Sequence, residues 1–197
     1  MTCRTHVMCA SAATLALTAP ETPKLVIVSL MGSTIGSVLP DIDSYNSESN
    51  QILHKIFIIT MLTIVGSIVI ENIFNLDIYN YIAGKEKFHN IAITFVAFLL
   101  LSIYGSKTPH RSFMHSILAV ILFYFVCSFS FPNIFVYCFT IGMISHIMLD
   151  LFNHKGIMLF YPFRKRMCFN LCSSNKVANK VLFCVFTVIT LFELIMI

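Results

Sequence analysis

Seven apolar runs separated by short polar stretches divide the chain, at about 7–18, 24–39, 52–74, 88–104, 109–129, 133–151 and 177–197. The runs are continuous rather than alternating, which predicts helices and argues against the alternating strands of a membrane barrel. Five of them approach or exceed the roughly 20 residues that cross a bilayer. The first two are shorter and predict a hairpin packed against the rest. Start and stop signals agree: Thr22-Pro23 reads as an N-cap with proline at the first helical position, and Pro40 predicts the end of the second helix.

Composition identifies the solvent around these helices. The chain is 57% hydrophobic and 11% charged, against about 25% charged residues in soluble domains. A mean hydropathy of +0.84 leaves too little polar surface to face water on all sides. The expected fold is therefore all-α, a polytopic transmembrane helical bundle of about five long and two short membrane helices, folded as a single domain over residues 1–197. The opening MTCRTHVMCASAATLALTAPE also has the short basic start and apolar core of a signal peptide. No A-x-A cleavage site follows it, so the expectation is that this segment and its His6 are kept.

Charge adds an orientation. With seven crossings, Arg4, Lys55, Lys107, Arg111, Lys155, Arg164, Lys165, Arg166, Lys176 and Lys180 fall on or beside one face, and only Lys24, Lys85 and Lys87 on the other. The positive-inside rule makes the first face cytoplasmic. The net charge of +4 then reads as topology with anionic lipids as neighbours, not as a nucleic-acid surface. Cysteine adds little: of the seven, Cys127, Cys138 and Cys184 lie in apolar runs, and Cys168 and Cys172 form a weak C-x-x-x-C pair.

Parity brings a set of ionisable residues from four separated segments to that face. His6 opens the first run, Asp41 and Asp43 follow the second, His110, Arg111 and His115 open the fifth, and His146 and Asp150 close the sixth. Imidazole and carboxylate are ligands for divalent cations, and His146 and Asp150 at i and i+4 share one helical face. Two acids as close as Asp41 and Asp43 repel unless a cation lies between them or one is protonated. Thr108-Pro109 reads as a helix start, which predicts Arg111 and His115 on the first turns beside free backbone N–H groups, a phosphate site. Singly, each residue has an ordinary explanation as an interfacial histidine, a turn aspartate or a snorkelling arginine. The cost of ionisable groups in membrane segments weighs against that explanation for the set. His54 and His89 have no companion at ligand spacing, and His154 lies where Asn153 and Gly156 suggest the helix has ended.

Four motifs in register carry a resemblance: Thr5-His6, GSTIGSVLPDID (residues 32–43), HRSFMHS (110–116) and SHIMLDLFNHKG (145–156) leading into LFYPF (159–163). Over most of its length the chain resembles the YdjM-type inner-membrane metal-dependent hydrolases, a family similar in turn to zinc-dependent phospholipase C. The resemblance implies metal ligands among His6, Asp41 or Asp43, His110, His115, His146 and Asp150, with Arg111 completing the motif. It implies a divalent metal, Zn2+ first and Mn2+ or Mg2+ as alternatives, and a multi-pass protein of the bacterial inner membrane.

The expected function is metal-dependent hydrolysis of a phosphoester, small or lipid, at the cytoplasmic membrane face. Whichever of Asp41 and Asp43 is not a ligand would take the proton from water, and Arg111 would hold a phosphoryl oxygen. The loop GIMLFYPFRKRMCF suits an interface through its aromatics and basic residues. The competing classes are a transporter using His and Asp as a relay, and a metal-binding membrane protein without turnover. A relay predicts ionisable residues through the membrane depth, and the middles of the third, fourth, fifth and seventh runs are bare.

Overall fold

The computed structural model describes residues 2–44, 55, 59, 85–171 and 176–196. Among them are six α-helices and no strand: α1 Cys3–Thr18, α2 Pro23–Val38, α3 Lys85–Lys107, α4 Ile117–Ser128, α5 Asn133–Leu151 and α6 Lys176–Met196. The run 52–74 lies outside the described residues apart from 55 and 59. So do His54, most of the 75–87 loop, Cys172 and the side chain of His89.

The capping signals at the first hairpin take their expected places. Thr22 Oγ1 accepts a hydrogen bond from Leu25 N–H at 3.3 Å, with Pro23 at the first helical position. The end of the second helix differs from expectation. The α-helix stops at Val38, but the chain keeps turning through Pro40 as a 3-10 turn, Leu39–Asp43. Proline forfeits only an N–H there, and its fixed φ suits a tightening turn. The whole segment Pro23–Asp43 is thus long enough to cross a membrane, as are Asn90–Lys107, Asn133–Leu151 and Val177–Met196.

The fifth run shortens instead. Thr108 does not cap a following helix, because its hydroxyl donates backwards to the Gly105 carbonyl at 2.7 Å and closes α3. Residues 109–116 form turns, including a 3-10 turn at Phe113–His115, and α4 begins only at Ile117, capped by Ser116. Among the described residues there are four candidate spans and one short apolar helix, so the expected five long and two short spans are not matched.

Helix α5 is the centre of the protein: 61% of it is buried, against 11% of Val177–Met196. Apolar side chains gain little from meeting one another in lipid, so helices associate by close backbone approach at small residues. Gly32-x-x-x-Gly36 on α2 supplies that approach. A Cβ on Gly36 would collide with the Phe139 carbonyl, and one on Gly32 would sit 2.8 Å from the Phe135 oxygen. Across the interface, a Cβ on Gly142 would collide with the Ser33 carbonyl. Gly36→Val is therefore expected to force α2 from α5 and lower stability by about 1–3 kcal/mol. Thermal unfolding in detergent reads this directly, and an unchanged midpoint would contradict the close-packed seam.

Candidate metal centre

The seam ends in polar residues. Helix α1 brings His6 from its first turns, the 3-10 turn after α2 brings Asp41 and Asp43, the 109–116 turns bring His110, Arg111 and His115, and α5 brings His146 and Asp150. Every residue singled out in the sequence for this site arrives in one cluster. His6, His115, His146 and Asp150 are almost wholly buried, and Asp43 and Arg111 nearly so.

The imidazoles stack inside it. His6 and His146 lie face to face with ring centroids 3.8 Å apart, and His115 meets His146 edge-on at 5.2 Å. Carboxylates surround them. His6 Nε2 is 3.7 Å from Asp150 Oδ1, His115 Nε2 is 3.4 Å from Asp150 Oδ2, and His146 Nε2 is 3.6 Å from Asp41 Oδ1. These separations exceed the 2.7–2.9 Å of a charge-assisted hydrogen bond.

His146 shows what such spacing is suited to. Its Nδ1 donates to the Ser37 carbonyl at 2.6 Å, because a carbonyl can only accept. In the neutral ring Nε2 then carries a lone pair, buried, without a hydrogen-bond partner and facing a carboxylate. Two acceptors face one another there, which a cation between them would make favourable. A backbone carbonyl fixing the tautomer from the far nitrogen is also how metal-binding histidines are usually oriented.

Three carboxylates, Asp41, Asp43 and Asp150, share the cluster with the imidazoles and the Arg111 guanidinium. Candidate ligand atoms of His6, His146 and Asp150 lie within 4.8 Å of one another, as do those of Asp41, His115 and His146. The donor set fits a divalent cation of the Zn2+ or Mn2+ type.

Asp43 and His110 are placed differently. Asp43 accepts the Arg111 backbone N–H at 2.9 Å and His110 Nδ1 at 2.7 Å, and stands 3.3 Å from His115 Nδ1. It orients two histidines from the turn, and His110, with a side chain 47% exposed, forms the open rim of the cluster. Neither belongs to the two ligand groups.

Arg111 is not on a helix N-terminus as its sequence context suggested. It occupies a left-handed backbone conformation at φ 65°, and its guanidinium reaches Asp150 Oδ2 at 3.1 Å and the Lys155 carbonyl. His154 is exposed, pairs with Asn170 and stays outside the cluster.

The sequence matches the model of the YdjM inner membrane protein family over residues 1–196. The chain belongs to that family. It is also 34% identical over 65 residues to "Uncharacterized protein YvsG" of Bacillus subtilis (strain 168), a match covering 32% of this chain and 41% of that protein. The chain thus matches well under two thirds of this relative's length. No solved structure matches it. Family and helices together describe a multi-pass inner-membrane protein with a His/Asp group able to hold a metal.

In this YdjM-family chain His115 links the cluster to pH. Burial alone would favour its neutral ring, but the flanking Asp150 and Asp43 outweigh burial and raise its pKa to about 9. With no cation present, the ring holds a proton near neutral pH. A cation taking the ring nitrogen displaces that proton, so metal uptake should release protons and tighten from about pH 6 to 8. Titration calorimetry in buffers of different ionisation enthalpy measures the release. Zero protons released would remove His115 from the ligand set.

Two contributors escaped the sequence reading. The Ser37 and Lys155 carbonyls orient His146 and Arg111, and backbone groups leave no mark in residue type. The glycine seam did leave one, since Gly32-x-x-x-Gly36 has the spacing of a membrane helix contact.

Proposed function

We propose that this protein is a membrane-bound metal-dependent hydrolase acting on a phosphoester at the cytoplasmic face. The observation that carries the reading is the buried His146 Nε2 lone pair facing Asp41 within a cluster of imidazoles and carboxylates at ligand spacing. A bound cation would lower the pKa of a water molecule and polarise the scissile group. His6, Asp41, His115, His146 and Asp150 would hold it. His110, held through Nδ1 by Asp43 and half-exposed at the rim, would exchange a proton with substrate or leaving group. Asp43 acts through His110 in this scheme.

A second reading is favoured by one specific observation. Arg111, the cation expected to hold a phosphoryl oxygen, is engaged with Asp150 and the Lys155 carbonyl. A cluster whose arginine is already paired suits a metal centre without turnover.

Purified protein loaded with Zn2+ or Mn2+ and assayed on soluble and lipid phosphoesters separates the two. Turnover lost in His110→Ala with metal content intact supports hydrolysis. Metal bound tightly, with no phosphoester cleaved above a metal-free control, would leave the non-catalytic centre.

The cytoplasmic placement rests on the basic residues and has its own test. Single cysteines replacing Lys107 and Arg164, in a cysteine-free background, should resist an impermeant maleimide in intact cells and react after lysis. Labelling of both before lysis would invert the orientation.

A further inference from the structure

Between α5 and α6 the chain folds back as a hairpin with two unlike sides. Ile157 and Met167 exchange backbone hydrogen bonds at 3.0 and 2.8 Å. The inner side is fastened to the protein. Met158 N–H donates to the Arg111 carbonyl at 2.9 Å, and Ile117 N–H donates to the Leu159 carbonyl at 3.0 Å. The Tyr161 hydroxyl meets that of Tyr104 at 2.8 Å, and its ring packs edge-on against Phe113.

The outer side is exposed. Phe160 is 53% exposed and Phe163 73% exposed, and Arg164, Lys165 and Arg166 follow, all exposed. No aspartate or glutamate occurs from residue 151 to 192, and among the described residues none of the three cations has an ion-pair partner. The hairpin leaves the end of span Asn133–Leu151, at the end of the protein where Asn90–Lys107 also finishes. It therefore sits at a membrane boundary.

Water is a poor solvent for the two phenylalanines, and hydrocarbon is a worse one for three consecutive cations. A layer of anionic headgroups over acyl chains suits both. We infer that the hairpin tip is a docking surface for anionic phospholipid, with Phe160 and Phe163 at the acyl boundary and Arg164, Lys165 and Arg166 on headgroup phosphates. The base of the hairpin is bonded to residue 111, next to the exposed His110, so the docking surface is anchored to the turn segment that forms the rim of the His/Asp cluster. The surface stands on its own geometry and requires no turnover at the metal centre.

The chain has no tryptophan, so Phe163→Trp gives a single reporter in the full-length protein. In nanodiscs containing phosphatidylglycerol its emission should be blue-shifted and quenched by brominated acyl chains. In discs of phosphatidylcholine alone both effects should weaken. Adding Arg164→Gln, Lys165→Gln and Arg166→Gln should erase the difference, at roughly fivefold in apparent preference per cation removed. Solvent-like emission in both discs would overturn the docking surface. Equal quenching in both would overturn the preference for anionic headgroups. A shift produced in detergent by inorganic phosphate alone would mark a small-anion site and overturn the lipid assignment.

Discussion

Replacing His146 by alanine is expected to empty the metal centre, by more than the roughly 10–100-fold in affinity that loss of an outer partner costs. The ring is shared by both candidate ligand groups, His6–His146–Asp150 and Asp41–His115–His146, so one substitution removes a donor from each. Asp150→Asn is expected to act comparably while keeping the side-chain volume, because it withdraws a negative charge from a site that needs one. Metal content of the detergent-purified variants, measured beside the parent, gives the result. His146→Gln guards against a trivial loss of fold. An amide can still donate to the Ser37 carbonyl, so that variant should keep its helix content and thermal midpoint while losing metal. Parent-like metal content in folded His146→Gln would leave the cluster as a set of interfacial histidines.

The convergence of this cluster was legible from where its residues lie along the apolar runs. Each of His6, Asp41, His115, His146 and Asp150 lies near the end of an apolar run, and an ordering of runs decides which ends meet. The roles within the cluster were not legible, because turns decide them. Pro40 marks the place where α2 tightens into a 3-10 turn, and that extra turn positions Asp41 beside His146 and leaves Asp43 to the 109–116 segment. Thr108-Pro109 has the letters of a helix start, yet the threonine hydroxyl has a nearer acceptor in Gly105, and Asp43 claims the Arg111 N–H. A local signal lost to two hydrogen bonds, one of them from 68 residues away.

That lost signal changes what Arg111 is expected to do. A phosphate-binding arginine on a helix start would be removable with the metal centre intact. The arginine in this structure neutralises Asp150 from inside the protein, and taking one partner from a buried ion pair costs about 3–5 kcal/mol. Arg111→Ala should therefore lower the stability of the metal-free protein sharply, and added Zn2+ should restore more stability to the variant than to the parent, since the cation then supplies the charge that Asp150 has lost. Arg111→Gly separates the side chain from the backbone. At φ 65° alanine keeps the left-handed strain of roughly 1–2 kcal/mol and glycine does not, so the glycine variant should unfold at a higher temperature than the alanine one while both lose the Asp150 partner. Thermal unfolding of the three proteins with and without Zn2+ distinguishes the cases. Parent-like metal-free stability in both variants, with only phosphoester binding impaired, would return Arg111 to the role of a substrate-binding cation.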